Sequence, residues 1–328
     1  MNCALTPAAQ AFREMLVADA LRAGETAARS QLRIAGVDLA FDIADHDIAE
    51  ALLPALRHHV RSVGGSELPM KRLITWSAPL EPFPWSNRHL GRGGAIEGFS
   101  HGSVRAVAAA DDTSLVLWDD ERQLACCWFA GVSGVTRWDR AAPLRTALHF
   151  ALASPERQLV HGAVVGAGGR GVLLAGPGGS GKSTTTLACL QAGMQVVGDD
   201  YAVVELGGRR AWNLYGSIKV GEREPGPHGR DDRRTLILGH DLPGTPSESL
   251  ELKALLLPRV VGGPRSSLAV ASPAAALRAL APSTLIQAPY EDRPSLGILA
   301  DLARAVPAYH LNFGDDRGVS AIREVVAA

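Results

Sequence analysis

The sequence is poor in the features that mark an extracellular scaffold, a membrane protein or a nucleic-acid binder. Cysteine is scarce: four in 328 residues, at positions 3, 126, 127 and 189, with no C-x-x-C spacing of a metal knot or redox pair. Cys126 and Cys127 sit together in LACCWF, where they read as small apolar strand residues, which suits a reducing cytoplasm rather than a disulfide framework. Charge of neither sign dominates, since 33 Lys and Arg against 34 Asp and Glu leave a net −1. No basic stretch is interleaved with aromatics, so no nucleic-acid partner is expected. No apolar run approaches the roughly 20 residues that cross a bilayer, so no membrane partner is expected either. The N-terminal stretch carries Arg13, Glu14 and Asp19 among apolar positions and reads as an amphipathic helix, not a signal peptide. What remains, 46% hydrophobic and 20% charged, is ordinary globular material, enough for one large domain or two ordinary ones.

Through residue 153 the pattern is that of a smaller α+β domain. LRIAGVDLAFDI alternates as a strand, and DIAEALLPALRHHV follows as a helix with an apolar stripe. LITWSAP, AIEGFS, SVRAVAA and TSLVLWDDERQLACCWF carry strand signals, the last as a hairpin turning at Asp119 and Asp120. PLRTALHFALA, 143–153, is a helix opened by Pro143. Trp76, Trp85, Trp118, Trp128 and Trp138 all fall in this half, where core packing explains most of them and a peptide groove is the functional alternative. A boundary near Ser154 and Pro155 gives domains 1–153 and 154–328.

Beyond the boundary, short apolar runs alternate with helices. QLVHGAVV and GVLLAG precede a Gly-rich loop and a helix from Lys182 to about Ala192. VVGDDYAVVEL, RRAWNLYG, TLIL, ELKALLLPRV, SSLAVA and PAYHLNF read as strands; PAAALRALAP, SLGILADLARA and VSAIREVVAA read as helices. The pattern is an α/β nucleotide domain with a mixed sheet and flanking helices. GEREPGPHGRDDRR, 221–234, has no periodicity and reads as a mobile loop that would serve as a lid.

GPGGSGKS, Gly176 to Ser183, fits G-x-x-x-x-G-K-[ST] with a strand before it and a helix after it. Gly176, Gly178, Gly179 and Gly181 let the backbone curl so that successive N–H groups, with those of Ser180 and Thr184, point at phosphate oxygens. The helix N-terminus adds about half a positive charge. Lys182 would reach the β- and γ-phosphates of ATP, and Ser183 would offer its hydroxyl to Mg²⁺. Asp199 and Asp200, about twenty residues on, interrupt a β-branched strand. Buried carboxylates need a cation, and a metal-bound triphosphate supplies one. Two acids permit two tasks: one on the metal, the other holding an acceptor hydroxyl and taking its proton. A simple turn at the strand end is the bland alternative.

VHGAVV, GVLLAGPGGSGKS and GMQVVGDDYAVVE together resemble the HPr kinase/phosphorylase family and the wider group of HPr-kinase-like serine kinases. NLYGSIKV, LKALLLPRV and ALAPSTLIQAP are similar to segments of kinase-like proteins in peptide-modifying clusters, the lasso-peptide kinases being the relevant case. The resemblance implies a P-loop kinase domain at 154–328 that uses ATP and Mg²⁺. It implies Asp199 as general base toward the acceptor serine, Asp200 in the metal shell with Ser183, and His161 as a polar partner near the transferred phosphate. Position 178 is Gly where the family usually has Ser. Asn213 stands where the family has a metal-holding Glu, which puts a second metal position and phosphorylase activity in doubt.

The favoured reading is a cytoplasmic ATP-dependent serine kinase acting on a peptide or protein, such as a lasso-type precursor peptide, with a homo-oligomer as a further expectation. A small-molecule alcohol kinase and a nucleotide-binding scaffold without transfer stay open. Lys219 and Arg259, at strand ends, and Arg230, Arg233 and Arg234, in the loop, are secondary candidates for phosphate contact, with surface solvation as their plainer explanation.

Overall fold

The structure, a computed structural model, describes residues 5–61, 71–78, 90–99, 103–221, 233–261, 263–287 and 293–328. Most of the 221–234 loop, including Arg230, and Trp85 lie outside these residues. The chain divides into two compact units, Met1–Leu152 with Ile286–Glu291, and Ala153–Leu285 with Asp292–Ala328.

The first unit opens with α1 (Pro7–Thr26), begun by Pro7 and capped by the Thr6 hydroxyl, which accepts the Ala9 N–H. Strands β1 (Ala28–Ile34) and β2 (Val37–Ile43) lead to α2 (His46–Leu52) and β3 (Val60–Arg61). Then follow β4 (Lys71–Ser77), β5 (Val104–Ala108), β6 (Ser114–Asp119), β7 (Leu124–Phe129), α3 (Arg137–Ala141) and α4 (Arg145–Leu152). The seven strands form one sheet in the order β3-β1-β2-β4-β7-β6-β5. Phe12, Leu16, Val17 and Ala20 of α1 pack on Ile74, Trp76, Leu117, Cys126 and Trp128.

Local chemistry corrects several expectations here. LRIAGVDLAFDI is not one strand but most of a hairpin: Ala35 and Gly36 both take positive φ (49° and 76°), and the apolar alternation changes phase across them. The helix expected through Val60 stops at Leu52 and tightens into a 3-10 turn over Leu53–His59, because Pro54 has no N–H to give an α-helical ladder. Among the described residues, AIEGFS makes isolated bridges, Ala95 to Val107 and Leu90 to Ile96, rather than a strand. The helix expected from Pro143 starts at Arg145.

The second unit contains β8 (Arg157–His161), β9 (Ala163–Ala167), β10 (Arg170–Leu174), α5 (Lys182–Gln191), β11 (Gln195–Gly198) and β12 (Tyr201–Glu205). It continues with β13 (Arg210–Asn213), β14 (Ser217–Val220), β15 (Arg234–Ile237), β16 (Ser249–Val260) and β17 (Ser267–Ala271). It closes with α6 (Pro273–Gln287), α7 (Arg293–Ala305), β18 (Ala308–Phe313) and α8 (Val319–Ala327). PAAALRALAP, expected as a whole helix, is the first part of α6, which runs on past Pro282. Strands β10, β16 and β18 are parallel; their other pairings are antiparallel, so the sheet is mixed. Alternation along the strands feeds two cores. Val172, Leu174, Ala254 and Leu256 face Cys189 of α5 and Ala321, Ile322 and Val326 of α8. Leu173, Leu255 and Leu257 face Ala276 and Leu280 of α6 and Leu299, Leu302 and Ala303 of α7. The unit is thus a helix–sheet–helix sandwich.

One ladder forks. Strands β8 and β9, separated by Gly162 alone, lie antiparallel to β12 and β11, which are separated by Asp199 and Asp200. Past the interruption the pairings diverge: β12 continues to β13, and β9 continues to β10. The twelve-residue β16 pairs with both β13 and β10. The acid pair therefore sits at the fork, opposite Gly162.

Candidate active site

The Gly-rich turn joins the carboxyl end of β10 to α5. Gly176 is buried, and a Cβ there would lie 2.9 Å from Ser180 Oγ. Gly178, Gly179 and Thr184 are exposed. Gly181 takes φ 96° at the N-cap of α5, which no side chain caps, so the first N–H groups of the helix point outward without a protein acceptor on that cap. Lys182 is buried and arches back, its Nζ donating to Gly176 O at 2.7 Å and Pro177 O at 3.1 Å. Burial lowers its pKa, against the pull of Asp200 and Asp199.

Asp199 is the more deeply buried acid, at 1% exposure. Its Oδ2 accepts the Lys219 backbone N–H at 2.9 Å. Its Oδ1 is buried without a hydrogen bond of regular geometry. The Ser183 and Thr186 hydroxyls still help to stabilise the carboxylate, but the Thr186 proton is committed to Lys182 O at 3.0 Å. Burial, then the charge of Asp200, push the Asp199 pKa up to about 6.

Asp200 is differently placed. Its Oδ1 lies 3.1 Å from His161 Nε2, and its Oδ2 takes the Lys219 ammonium. Burial alone would raise its pKa, but the His161 hydrogen bond and the Lys219 charge outweigh it and hold the group well below the usual carboxylate range. With Asp200 ionised, His161 donates through Nε2, and its Nδ1 is buried without a partner. The His161 N–H donates to Thr284 Oγ1 of α6 at 3.1 Å, and the ring stands against Tyr201 at 5.4 Å. Across the interruption, Gly162 N donates to Asp200 O at 3.0 Å. A Cβ on Gly162 would meet Leu174 O at 2.8 Å, so only glycine allows this approach.

The fold thus brings His161, Lys182, Ser183, Asp199 and Asp200 around the amino end of α5. It also brings in Lys219, which sequence reasoning left among the secondary residues. The available signal was a lysine inside the strand-like GSIKV, now β14, whose Lys219 side chain is only 11% exposed. Arg233 is close enough to Lys182 to lower its pKa, whereas Arg259 bonds His310 at 3.1 Å and Arg234 is an exposed residue of β15. Asn213 is buried, and its amide nitrogen is committed to the Val197 and Tyr215 carbonyls, a structural clamp.

A divalent cation fits this donor set. Asp199 Oδ1 is a buried carboxylate oxygen lacking a regular donor, and the Ser183 hydroxyl is close enough to stabilise the same carboxylate. Asp200, expected in the metal shell with Ser183, has both oxygens already held by His161 and Lys219, whereas Asp199 has one oxygen open, so Ser183 with Asp199 is the pair that could hold the ion with fewer contacts displaced.

No helix among the described residues is long and apolar enough to cross a membrane. No protein-family model matches the sequence, and no curated protein matches it. Among solved structures the chain is similar to the Hpr(Ser) kinase/phosphatase from Coxiella burnetii, at 14% identity over 52% of this chain and 94% of that one, with a TM-score of 0.29. At that TM-score the likeness carries no weight for the site, which rests on the geometry above.

Proposed function

We propose that the second unit is a Mg²⁺·ATP-dependent kinase that transfers the γ-phosphate to a serine hydroxyl of a peptide or protein. The observation that carries this reading is Asp199 Oδ1, buried without a regular hydrogen bond in a carboxylate that Ser183, on the uncapped glycine-rich helix start, helps to stabilise. A buried anionic oxygen in that place is costly unless a cation meets it.

In this reading the N–H groups of the glycine turn and the start of α5 hold the phosphates. Lys182 exchanges its two loop carbonyls for phosphate oxygens. Ser183 and Asp199 hold Mg²⁺, which when bound neutralises charge on the β- and γ-phosphates. Asp200, side chain 16% exposed against the wholly buried Asp199, faces the acceptor and takes its hydroxyl proton. His161 keeps Asp200 oriented through Nε2, and Lys219 holds its other oxygen. This transposes the roles implied for the two acids by family resemblance. Little proton transfer is needed early in a loose phosphoryl-transfer transition state, so a carboxylate of depressed pKa suffices to accept the proton as the new P–O bond forms and to pass it on to solvent.

The test is phosphate incorporation into candidate peptides by the full chain with ATP and Mg²⁺, read by mass. Asp200→Asn is expected to keep nucleotide affinity and lose transfer by at least about 100-fold. Asp199→Asn is expected to lose the Mg²⁺-dependent part of nucleotide affinity. Phosphorylation of small alcohols but of no peptide would overturn the acceptor class; nucleotide binding with no transfer to anything would overturn the kinase reading.

A further inference from the structure

We propose that Lys219 is a positioning residue whose ammonium is the built-in second cation of the acid pair, leaving the site room for one divalent ion rather than two. The inference deepens the kinase reading and rests on it. It follows from the four carboxylate oxygens of the pair. Asp199 Oδ2 accepts the Lys219 N–H. Asp200 Oδ2 takes the Lys219 ammonium, and Asp200 Oδ1 meets His161 Nε2. Only Asp199 Oδ1 is left without a regular donor. One residue thus grips both acids, by backbone on one and by side chain on the other.

Charge leads the same way. Two buried carboxylates carry −2, and Lys219 returns +1, so a single divalent ion at Asp199 more than balances the pair before any phosphate arrives. A second divalent ion at Asp200 would have to displace an ammonium whose side chain is 11% exposed, paired with a carboxylate 16% exposed. Removing either partner of such a desolvated pair leaves an uncompensated charge, which resists the exchange. Asn213, at the end of β13, offers no carboxylate, and its amide nitrogen is tied to Val197 O and Tyr215 O. The placement of Lys219 on β14, which packs against α5, ties the acid pair to the helix that would carry the phosphates.

The test counts cations. Mn²⁺ is titrated into the full-length protein with a non-hydrolysable ATP analogue, and free Mn²⁺ is read by electron paramagnetic resonance. The parent is expected to bind one Mn²⁺ per chain, Lys219→Met two, as Asp200 recruits a replacement, and Lys219→Arg one. In turnover, Lys219→Met is expected to lose about 100-fold in kcat with nucleotide KM changed by no more than roughly threefold, and Lys219→Arg to recover part of the loss. Two Mn²⁺ on the nucleotide-loaded parent would overturn the role of Lys219 while leaving the kinase reading intact. A Met variant with one Mn²⁺ and parental kcat would do the same. A parent that binds neither the analogue nor Mn²⁺ would overturn the kinase reading and this inference with it. Should Lys219→Met fail to fold, as its melting curve would reveal, the parent's stoichiometry and that of Lys219→Arg still decide.

Discussion

At Gly181 the backbone takes φ 96°, and a Cβ there would lie 2.5 Å from the Phe313 ring. Two constraints, a left-handed backbone and an aromatic neighbour, therefore fall on one residue. Gly181→Ala is expected to cost about 1–3 kcal/mol in urea unfolding and to weaken ATP binding measured by calorimetry. An alanine variant as stable as the parent would refute this account of the turn. The sequence made Gly181 visible as part of a spaced motif, but its partner Phe313 lies 132 residues away and carried no signal. The acids show the same division. Asp199 and Asp200 stood out as charges inside an apolar run, whereas their separate roles depend on which oxygen meets Lys219, His161 or Ser183. Those are facts of three-dimensional placement, and adjacent identical residues cannot reveal them.

Among the elements, the strand runs were legible and their interruptions were less so. The apolar alternation of Leu32 and Ile34 resumes one residue out of phase at Val37, Leu39, Phe41 and Ile43, a shift small enough to read as one continuous strand although the chain turns at Ala35–Gly36. The apolar run QLVHGAVV is likewise one run in sequence and two strands in space, because Gly162 lets the ladder part at the acids. Helix α6 tells of coupling that no periodicity encodes: Thr284, buried on its inner face, receives the His161 N–H and so fixes the end of β8. Thr284→Val keeps the shape and removes the acceptor, leaving a buried N–H unpaired. The expected loss is about 1–3 kcal/mol in chemical denaturation, with a drop in kcat if transfer is observed. A variant of unchanged stability would mean that the N–H finds another acceptor.

For the whole molecule, stability is expected to fall on mild acidification through a residue that belongs to the first unit rather than to the unit of the candidate site. His149, on α4 in the first unit, has its pKa pushed down to about 4, chiefly by burial and then by Arg105 and Arg145. Its folded pKa lies below the ordinary imidazole value, so the unfolded chain binds more protons between those two values. This stabilisation is therefore present above the ordinary value and is lost as pH falls toward 4. Between pH 7 and 5 the contribution is about 2 kcal/mol for the unit that holds it, so His149→Gln should flatten that unit's pH dependence by a similar amount in calorimetry. Equal pH dependence in parent and variant would show that the imidazole is not the responsible group. Helices and most strands of both units were readable from composition and period, and the mixed α/β character followed. Strand order was not, because β16 draws its neighbours from segments up to about eighty residues upstream and fifty downstream.

The fork in the β8–β9 and β11–β12 ladder has one more consequence. Hydrogen-bonded register on either side of Asp199 and Asp200 is pinned by separate partners, β13 one way and β10 the other. A residue inserted between Val197 and Tyr201 would have to rotate one arm out of phase, swapping its inward and outward side chains. The carboxylates are consequently anchored from two sides, and the place at which an incoming molecule would meet them is set by the register of two separate ladders.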